Sequence, residues 1–67
     1  MNSDILKGKW NQVKGGIKEK WGELTDDDVD RINGQVDQLV GLVQERYGKQ
    51  REEAEKEVEE YLEKNAN

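Results

Sequence analysis

The chain has 67 residues, of which 40% are charged and 31% hydrophobic, and its formal net charge is −5. Such a length allows a single domain, residues 1–67, with a thin core. The lack of cysteine and histidine excludes disulfides, thiol nucleophiles, and thiolate or imidazole metal ligands. We therefore expect a non-enzymatic protein with no catalytic residue, no cofactor and no metal site.

The sequence also bears on location and partners. No apolar run approaches the roughly 20 residues of a membrane-spanning helix. The N-terminal MNSDILKGKW lacks the apolar region of a secretory signal peptide. We expect a cytoplasmic monomer without a transmembrane segment. The acidic balance argues against nucleic acid as the main partner, and a protein partner stays open.

An internal repeat organises the chain. The glycines at positions 8, 15 and 22 recur 26 positions later, at 34, 41 and 48. The apolar positions recur at the same offset, with steps of 4, 3, 4 and 4 that mark one face of an α-helix. They are Leu6, Trp10, Val13, Ile17 and Trp21, then Ile32, Val36, Leu39, Val43 and Tyr47. We predict an all-α fold of four short helices, arranged as two crossed helical hairpins with repeat units of about 4–29 and 30–58.

The first predicted helix runs from about Ser3, which suits the N-cap, to Trp21. Trp10 and Trp21 are expected in the core, because the repeat matches them with Val36 and Tyr47. A structural role is therefore predicted for these four aromatic and aliphatic residues.

This first helix is basic in an otherwise acidic chain. Residues 1–21 carry five lysines against two acids, and Lys7, Lys14 and Lys18 form a stripe beside the apolar face. One interpretation is attachment of a Trp-bearing basic helix to a membrane surface or to nucleic acid. The preferred interpretation is that the lysine stems cover the rim of the core while their ammonium groups stay in water.

A stripe of glycines lies roughly opposite the apolar face of the same helix. Gly8, Gly15 and Gly22 are seven residues apart. Glycine costs about 1 kcal/mol relative to alanine inside an exposed helix. Either another backbone approaches closely there, for example that of a partner chain, or the helix is only marginally stable. The sequence leaves the two explanations open.

The segment WGELTDDDV is predicted to end the first helix and begin the second. Gly22 is expected to adopt the left-handed conformation that ends a helix. Thr25 suits the N-cap, with Asp28 at the third helical position of a capping box. Leu24 and Val29 are placed to form a hydrophobic staple across this cap.

A calcium-binding loop is the competing interpretation of the same segment. Asp26, Asp28 and Asp30 alternate, and Asp37 occupies the twelfth position of such a loop. The loop requires glycine at its sixth position, where this chain has Arg31, and a bidentate glutamate at its end. We therefore prefer capping and expect no metal.

Three further helices are predicted, from about Asp26 to Asn33, Gln35 to Tyr47, and Arg51 to Lys64. Asn33-Gly34 is a break signal between the first two of them; if it only bends the chain, these helices merge into one. The third helix has the widest apolar face, which includes Val36, Leu39 and Val43, so it should be the most buried.

The second glycine turn, YGKQRE, contains Gly48 between two candidate helices and carries Lys49 and Arg51. Helical hairpins can bind phosphate through turn amides. The three aspartates of the first turn would repel phosphate. The second turn and the basic first helix nevertheless make a weak nucleic-acid-binding module an alternative function. Its candidate contacts are Lys7, Lys14, Lys18, Lys49 and Arg51.

Two runs, GKWNQVKGGIKEKWGELTDDD and GQVDQLVGLVQERYGKQREEAEKEV, resemble the CsbD-like family of small bacterial general stress proteins over about residues 4–60. The motifs W-G-x-L-T-D-D-D and Q-L-V-G-x-x-Q-E-R-Y-G are specific when found together. The resemblance implies a four-helix fold with an internal duplication, a cytoplasmic role under stress and no established biochemical activity. It transfers no catalytic or ligand-binding residue.

The chain departs from the family pattern in two places. Gly16 and Leu42 stand where we expect lysine after the family's glycines, and the fourth helix, EEAEKEVEEYLEK, is unusually regular. This regularity fits a natural member or one redesigned on the family's backbone. The expected function is a non-enzymatic stress-response protein that acts by binding or protection.

Overall fold

The computed structural model describes residues 3–65, and it describes side-chain surroundings for residues 9–64. That part of the chain contains four helices and no strand. They are α1 (Ser3–Lys20), α2 (Asp26–Ile32), α3 (Val36–Tyr47) and α4 (Arg51–Asn65). The all-α prediction is confirmed, and each helix end lies within one residue of its expected position. The predicted N-cap role of the Ser3 side chain falls outside the described side chains.

The α2–α3 turn separates two helices rather than bending one. Asn33 has φ 44° and ψ 43°, and Gly34 has φ 78°. Two consecutive residues with positive φ cannot continue a right-handed helix. The Gln35 amide donates to the Ile32 carbonyl at 2.8 Å and closes the turn before α3 begins. The alternative of one merged helix is therefore wrong.

Helix α3 lies at the centre of the fold, because it contacts each of the other three helices. Among the described side chains, it contributes more buried ones than any other helix, as its apolar face predicts. The core consists of apolar residues from all four helices and from the turn after α1. These residues are Val13, Ile17, Trp21, Leu24, Ile32, Val36, Leu39, Val40, Leu42, Val43, Ala54, Val58 and Leu62.

Gly16 lets α4 approach α1 through an aromatic side chain. A Cβ atom at Gly16 would collide with the Tyr61 hydroxyl, whereas a Cβ at Gly15 would meet nothing within 4 Å. The Tyr61 ring packs edge-on against Trp21, with 5.2 Å between ring centroids and 62° between ring planes. A side chain at position 16 would therefore have to displace the Tyr61 hydroxyl, whereas one at position 15 would displace nothing.

The glycine stripe of α1 has no close neighbour within the described side chains. Neither Gly15 nor Gly22 would bring a Cβ within 4 Å of another described group, and the surroundings of Gly8 fall outside that part of the chain. Close approach within the described chain therefore does not explain Gly15 or Gly22. For Gly15, inside the helix, close approach of a partner chain and a marginally stable α1 are the two explanations that stay open.

We predict opposite stability effects for two neighbouring substitutions in α1. Gly15→Ala should stabilise the protein by up to about 1 kcal/mol, because alanine is the better helix former and has open space there. Gly16→Ala should lose that gain and destabilise the fold by about 1–2 kcal/mol, because the new methyl displaces Tyr61. Chemical denaturation followed by circular dichroism measures both effects.

A third variant gives the control for this prediction. Tyr61→Phe removes the hydroxyl, and the nearest remaining ring atom would lie 3.5 Å from a Cβ at Gly16, an ordinary contact distance. In this background Gly16→Ala should become as favourable as Gly15→Ala. An unchanged cost of Gly16→Ala would contradict the role given to Tyr61.

Candidate functional site

The two glycine turns of the described structure meet through a hydrogen bond between Glu23 and Tyr47. We call this region the turn junction and define it as residues 21–28, 46–49 and 57. In the first turn, the Trp21 amide still donates to the Ile17 carbonyl at 2.9 Å, and the Leu24 amide donates to the Trp21 carbonyl at 3.0 Å. These two bonds close the turn that ends α1 and precedes α2.

The expectation that Gly22 adopts a left-handed conformation is wrong. Among the described residues, positive φ occurs at Asn33, Gly34 and Gly48 only. The first turn instead closes through the bond between the Leu24 amide and the Trp21 carbonyl. A four-residue turn closed in this way needs no positive φ at its second residue, so Gly22 has no conformational requirement for glycine here.

The predicted capping box at the start of α2 is present. The Asp28 amide donates to the Thr25 hydroxyl oxygen at 3.1 Å, and the Thr25 amide donates to Asp28 Oδ2 at 3.1 Å. Thr25 has the extended backbone typical of an N-cap. Leu24 and Val29, the expected staple pair, are both buried. The three aspartates in the first helical turn of α2 also interact favourably with the positive end of the helix dipole.

The structure adds a long-range partner that the sequence did not suggest. Arg46, near the end of α3, donates from Nε to Asp28 Oδ2 at 3.0 Å and from Nη2 to Oδ1 at 2.8 Å. The Asp28 carboxylate is only 2% exposed. Hydrogen bonds from Arg46 and from the Thr25 amide lower the pKa of Asp28 from 3.8 to about 2. The same bond raises the pKa of Arg46.

The arrangement of the aspartates does not suit a calcium loop. Asp28 is committed to Arg46 and Thr25, whereas Asp26 is ion-paired with Lys18 and Asp30 is exposed. Among the described residues, no three carboxylates converge on a point that could hold a metal. The segment begins a helix, as the capping interpretation predicts.

The second turn reaches back to the first through Tyr47. The Glu23 amide donates to the Tyr47 hydroxyl oxygen at 3.1 Å. Tyr47 is 36% exposed, so it lies at the surface of the turn junction. Trp21, its partner in the repeat, is 1% exposed and occupies the interior instead. Gly48 ends α3 with φ 65°, which is the left-handed cap that glycine favours.

Glu57 of α4 joins the buried tryptophan to the second turn. Trp21 Nε1 donates to Glu57 Oε1 at 2.7 Å, and Lys49 Nζ donates to Glu57 Oε2. Lys49, with a smaller contribution from Trp21, lowers the pKa of Glu57, and the bond to Glu57 raises the pKa of Lys49. A buried indole N–H requires an acceptor. A tryptophan expected in the core was therefore the one signal in the sequence that a polar residue would contact Trp21.

The predicted cation set is divided among separate partners. Lys18 pairs with Asp26 at the start of α2. Lys14 is exposed and makes no ion pair with the described residues, and Lys7 falls outside the described side chains. The remaining two members lie around the start of α4.

At the start of α4 both predicted cations contact carboxylates. Lys49 pairs with Glu57, and Arg51 pairs with Glu55 at 2.9 Å and with Asp37 at 3.5 Å. No two of the predicted cations share a carboxylate among the described residues. The structure therefore places three of the five in separate ion pairs rather than in one described anion site.

The other sequence alternative, a membrane-surface helix, requires outward-facing tryptophans. Trp21 is buried and Trp10 is partly buried against the core. Within the described residues, no helix combines the length and apolarity needed to cross a bilayer. Every buried side-chain nitrogen and oxygen in that part of the chain has a hydrogen-bond partner. The buried polar groups of the turn junction are thus all hydrogen-bonded within the chain, which indicates a structural role.

The fold and its junction define a small four-helix domain whose two turns are tied by ion pairs. This chain belongs to the CsbD-like family, whose profile matches residues 4–56. The members of this family are general stress-response proteins whose molecular function is undefined. The two motifs on which the resemblance rests contribute Asp28 and Arg46, the two partners of the buried ion pair.

Several bacterial proteins are similar to the chain over nearly its whole length. UPF0337 protein PA4738 of Pseudomonas aeruginosa is 53% identical over 61 residues, 91% of this chain and 94% of that protein. UPF0337 protein YjbJ of Escherichia coli K12 is 55% identical over 65 residues, 97% and 94% of the two chains. A UPF0337 protein of Bordetella pertussis is 52% identical over 65 residues, 97% and 98% of the two chains. No solved structure shows a significant match.

The Asp28 pKa predicts how stability responds to acid. The folded pKa of about 2 lies below the ordinary 3.8, so the unfolded chain takes up this proton first as the pH falls. The contribution of Asp28 is complete above the unfolded value and is lost as the pH falls from about 4 towards 2. Thermal unfolding midpoints across this range should therefore converge for the native chain and an Asp28→Asn variant. Parallel profiles would contradict the assignment.

Proposed function

We propose that this protein is a non-enzymatic, cytoplasmic stress-response protein that protects other macromolecules through its charged surface. The observation that carries the proposal is the dense charge on the exposed side of α4. The directions in which the perturbed ionisable groups are shifted support its non-enzymatic part. The pKa values of Asp28 and Glu57 are lowered, and those of Arg46, Lys49 and Tyr61 are raised. Each shift moves the pKa of the group away from neutral pH.

These directions are opposite to those that catalysis at neutral pH uses. General acids and bases work best when their pKa lies near the operating pH. Here hydrogen bonds to Arg46 and Lys49 keep two carboxylates ionised, and burial keeps the Tyr61 hydroxyl protonated, as the shifted pKa values indicate. The charge states are held constant, which supports a structural use of these groups.

The outer surface supports protection in preference to capture of unfolded chains. Helix α4 carries seven carboxylates and three cations, and most of its charged side chains are exposed. Among the described residues, Tyr47 is the single large apolar side chain classed as exposed. Proteins that hold unfolded clients need an exposed apolar patch. A densely charged and well-hydrated surface instead opposes association between neighbouring molecules.

The proposal predicts a charge-dependent protective effect. A labile enzyme such as lactate dehydrogenase would be freeze-thawed or heated with the native protein, and its residual activity and light scattering measured. The matched variant carries Glu52→Gln, Glu59→Gln and Glu60→Gln, three exposed positions of α4. Glutamine retains nearly the helix propensity of glutamate, so the main effect on the helix is the lost interaction of Glu52, in the first turn, with the helix dipole.

The native protein should preserve more activity than an equal mass of serum albumin, and the triple variant should preserve less than the native protein. Circular dichroism would first establish that the variant is folded. Protection no better than that of albumin would overturn the proposal. Equal protection by the two chains would overturn the role given to the charge of α4.

A further inference from the structure

The α2–α3 turn carries an Asn-Gly pair that neither the turn junction nor the proposed function uses. The Asn33 side chain is exposed at the end of α2, and Gly34 follows it without a Cβ atom. Among the described residues, the Gly34 amide donates to no acceptor, whereas its neighbours Asn33 and Gln35 donate to Val29 and Ile32. Gly34 is buried in the closed turn, and as a glycine it places no side chain of its own beside its nitrogen.

A glycine nitrogen that follows asparagine can attack the asparagine side chain. The nitrogen of Gly34 forms a bond to Cγ of Asn33, the Cγ–Nδ2 bond breaks, and the Gly34 amide proton leaves with Nδ2 as ammonia. The product is a five-membered succinimide. One water molecule then opens this ring: attack at Cγ gives aspartate, and attack at the backbone carbonyl carbon gives isoaspartate.

The folded turn holds these atoms in the wrong geometry for ring closure. Asn33 has φ 44° and ψ 43°. With this ψ, the tetrahedral arrangement at Cα places the Gly34 nitrogen nearly anti to Cβ of Asn33, on the far side of the Cα–C bond. Ring closure needs the nitrogen and Cβ on the same side. The native turn therefore protects the bond, and reaction requires rotation about ψ.

The bonds that resist this rotation are few. Helix α2 has seven residues, and its last bond, from the Asn33 amide to the Val29 carbonyl, is 3.4 Å long. This is the longest of the backbone bonds that close the described turns and helix ends. Short helices open locally at a lower free energy than the global fold does. The opposite end of α2 depends on the Thr25 cap.

We propose that Asn33 is a deamidation site whose reaction is gated by opening of the α2–α3 turn. Conditions that loosen α2 convert Asn33 to aspartate or isoaspartate, whereas the closed turn does not react. The aspartate product can return to the native turn, since aspartate also tolerates the left-handed region. The isoaspartate product cannot return to it, because the extra carbon in its backbone changes the spacing between the two amides that flank the turn.

The modification can be followed at single-residue resolution in the full chain. Trypsin cuts after Arg31 and Arg46, so Asn33 is released in peptide 32–46, whereas Asn11 is released in peptide 10–14. Asn11 is helical and precedes glutamine, which makes it an internal control. The protein would be incubated in mildly alkaline buffer with and without urea, and mass spectrometry would give the extent of deamidation of each peptide.

Asn33 should react faster than Asn11 in urea, and its reaction in native buffer should be slower by at least about tenfold, because the turn is open for a minor fraction of the time. Thr25→Ala, which removes the α2 cap, should speed the native reaction, and Thr25→Ser should not. Equal Asn33 rates with and without urea would overturn the gating. No faster reaction at Asn33 than at Asn11 in urea would overturn the site itself.

Discussion

The buried carboxylate of Asp28 is the contact on which the arrangement of the two hairpins depends. It accepts one hydrogen bond from the Thr25 amide within the α2 cap and two from Arg46 at the end of α3. Because this carboxylate is almost fully removed from solvent, losing a donor would leave buried charge uncompensated, which is far more costly than losing a surface pair. The start of one helix is thereby fixed to the end of another. The bonds from Trp21 and Lys49 to Glu57 tie α4 to the same region.

The same contacts explain how so short and polar a chain encloses a core. Within residues 9–64, thirteen buried apolar residues form one cluster, and Trp10 and Tyr61 extend it at its edge. A core of this size leaves little margin, so polar ties between the turns add order that packing alone does not supply. The ionisable groups with shifted pKa values at the turn junction, Asp28, Arg46, Lys49 and Glu57, all have this structural role. What remains for interaction with other molecules is the charged exterior, which is the basis of the proposed protective function.

The sequence predicts what depends on neighbouring residues and misses what depends on distant ones. Helical periodicity and the Thr25–Asp28 cap are local, so the helices and the start of α2 are predicted closely. The repeat suggests equal roles for Trp21 and Tyr47, but the structure buries one and leaves the other at the surface. The partners Arg46 and Glu57 were missed because each acts across helices, 18 and 36 residues from Asp28 and Trp21. Such contacts follow from how the hairpins pack, and periodicity alone carries no signal for that.

The most direct test of the role of Asp28 is a double-mutant cycle with Arg46, measured by chemical denaturation. The cycle compares Asp28→Ala, Arg46→Ala and the double variant with the native chain. Its control is the exposed pair Arg51–Glu55 within α4, for which a coupling of about 0.3–0.5 kcal/mol is typical. The predicted result is a coupling between Asp28 and Arg46 clearly larger than that of the control pair. Additive losses, or a coupling no larger than the control, would contradict the account.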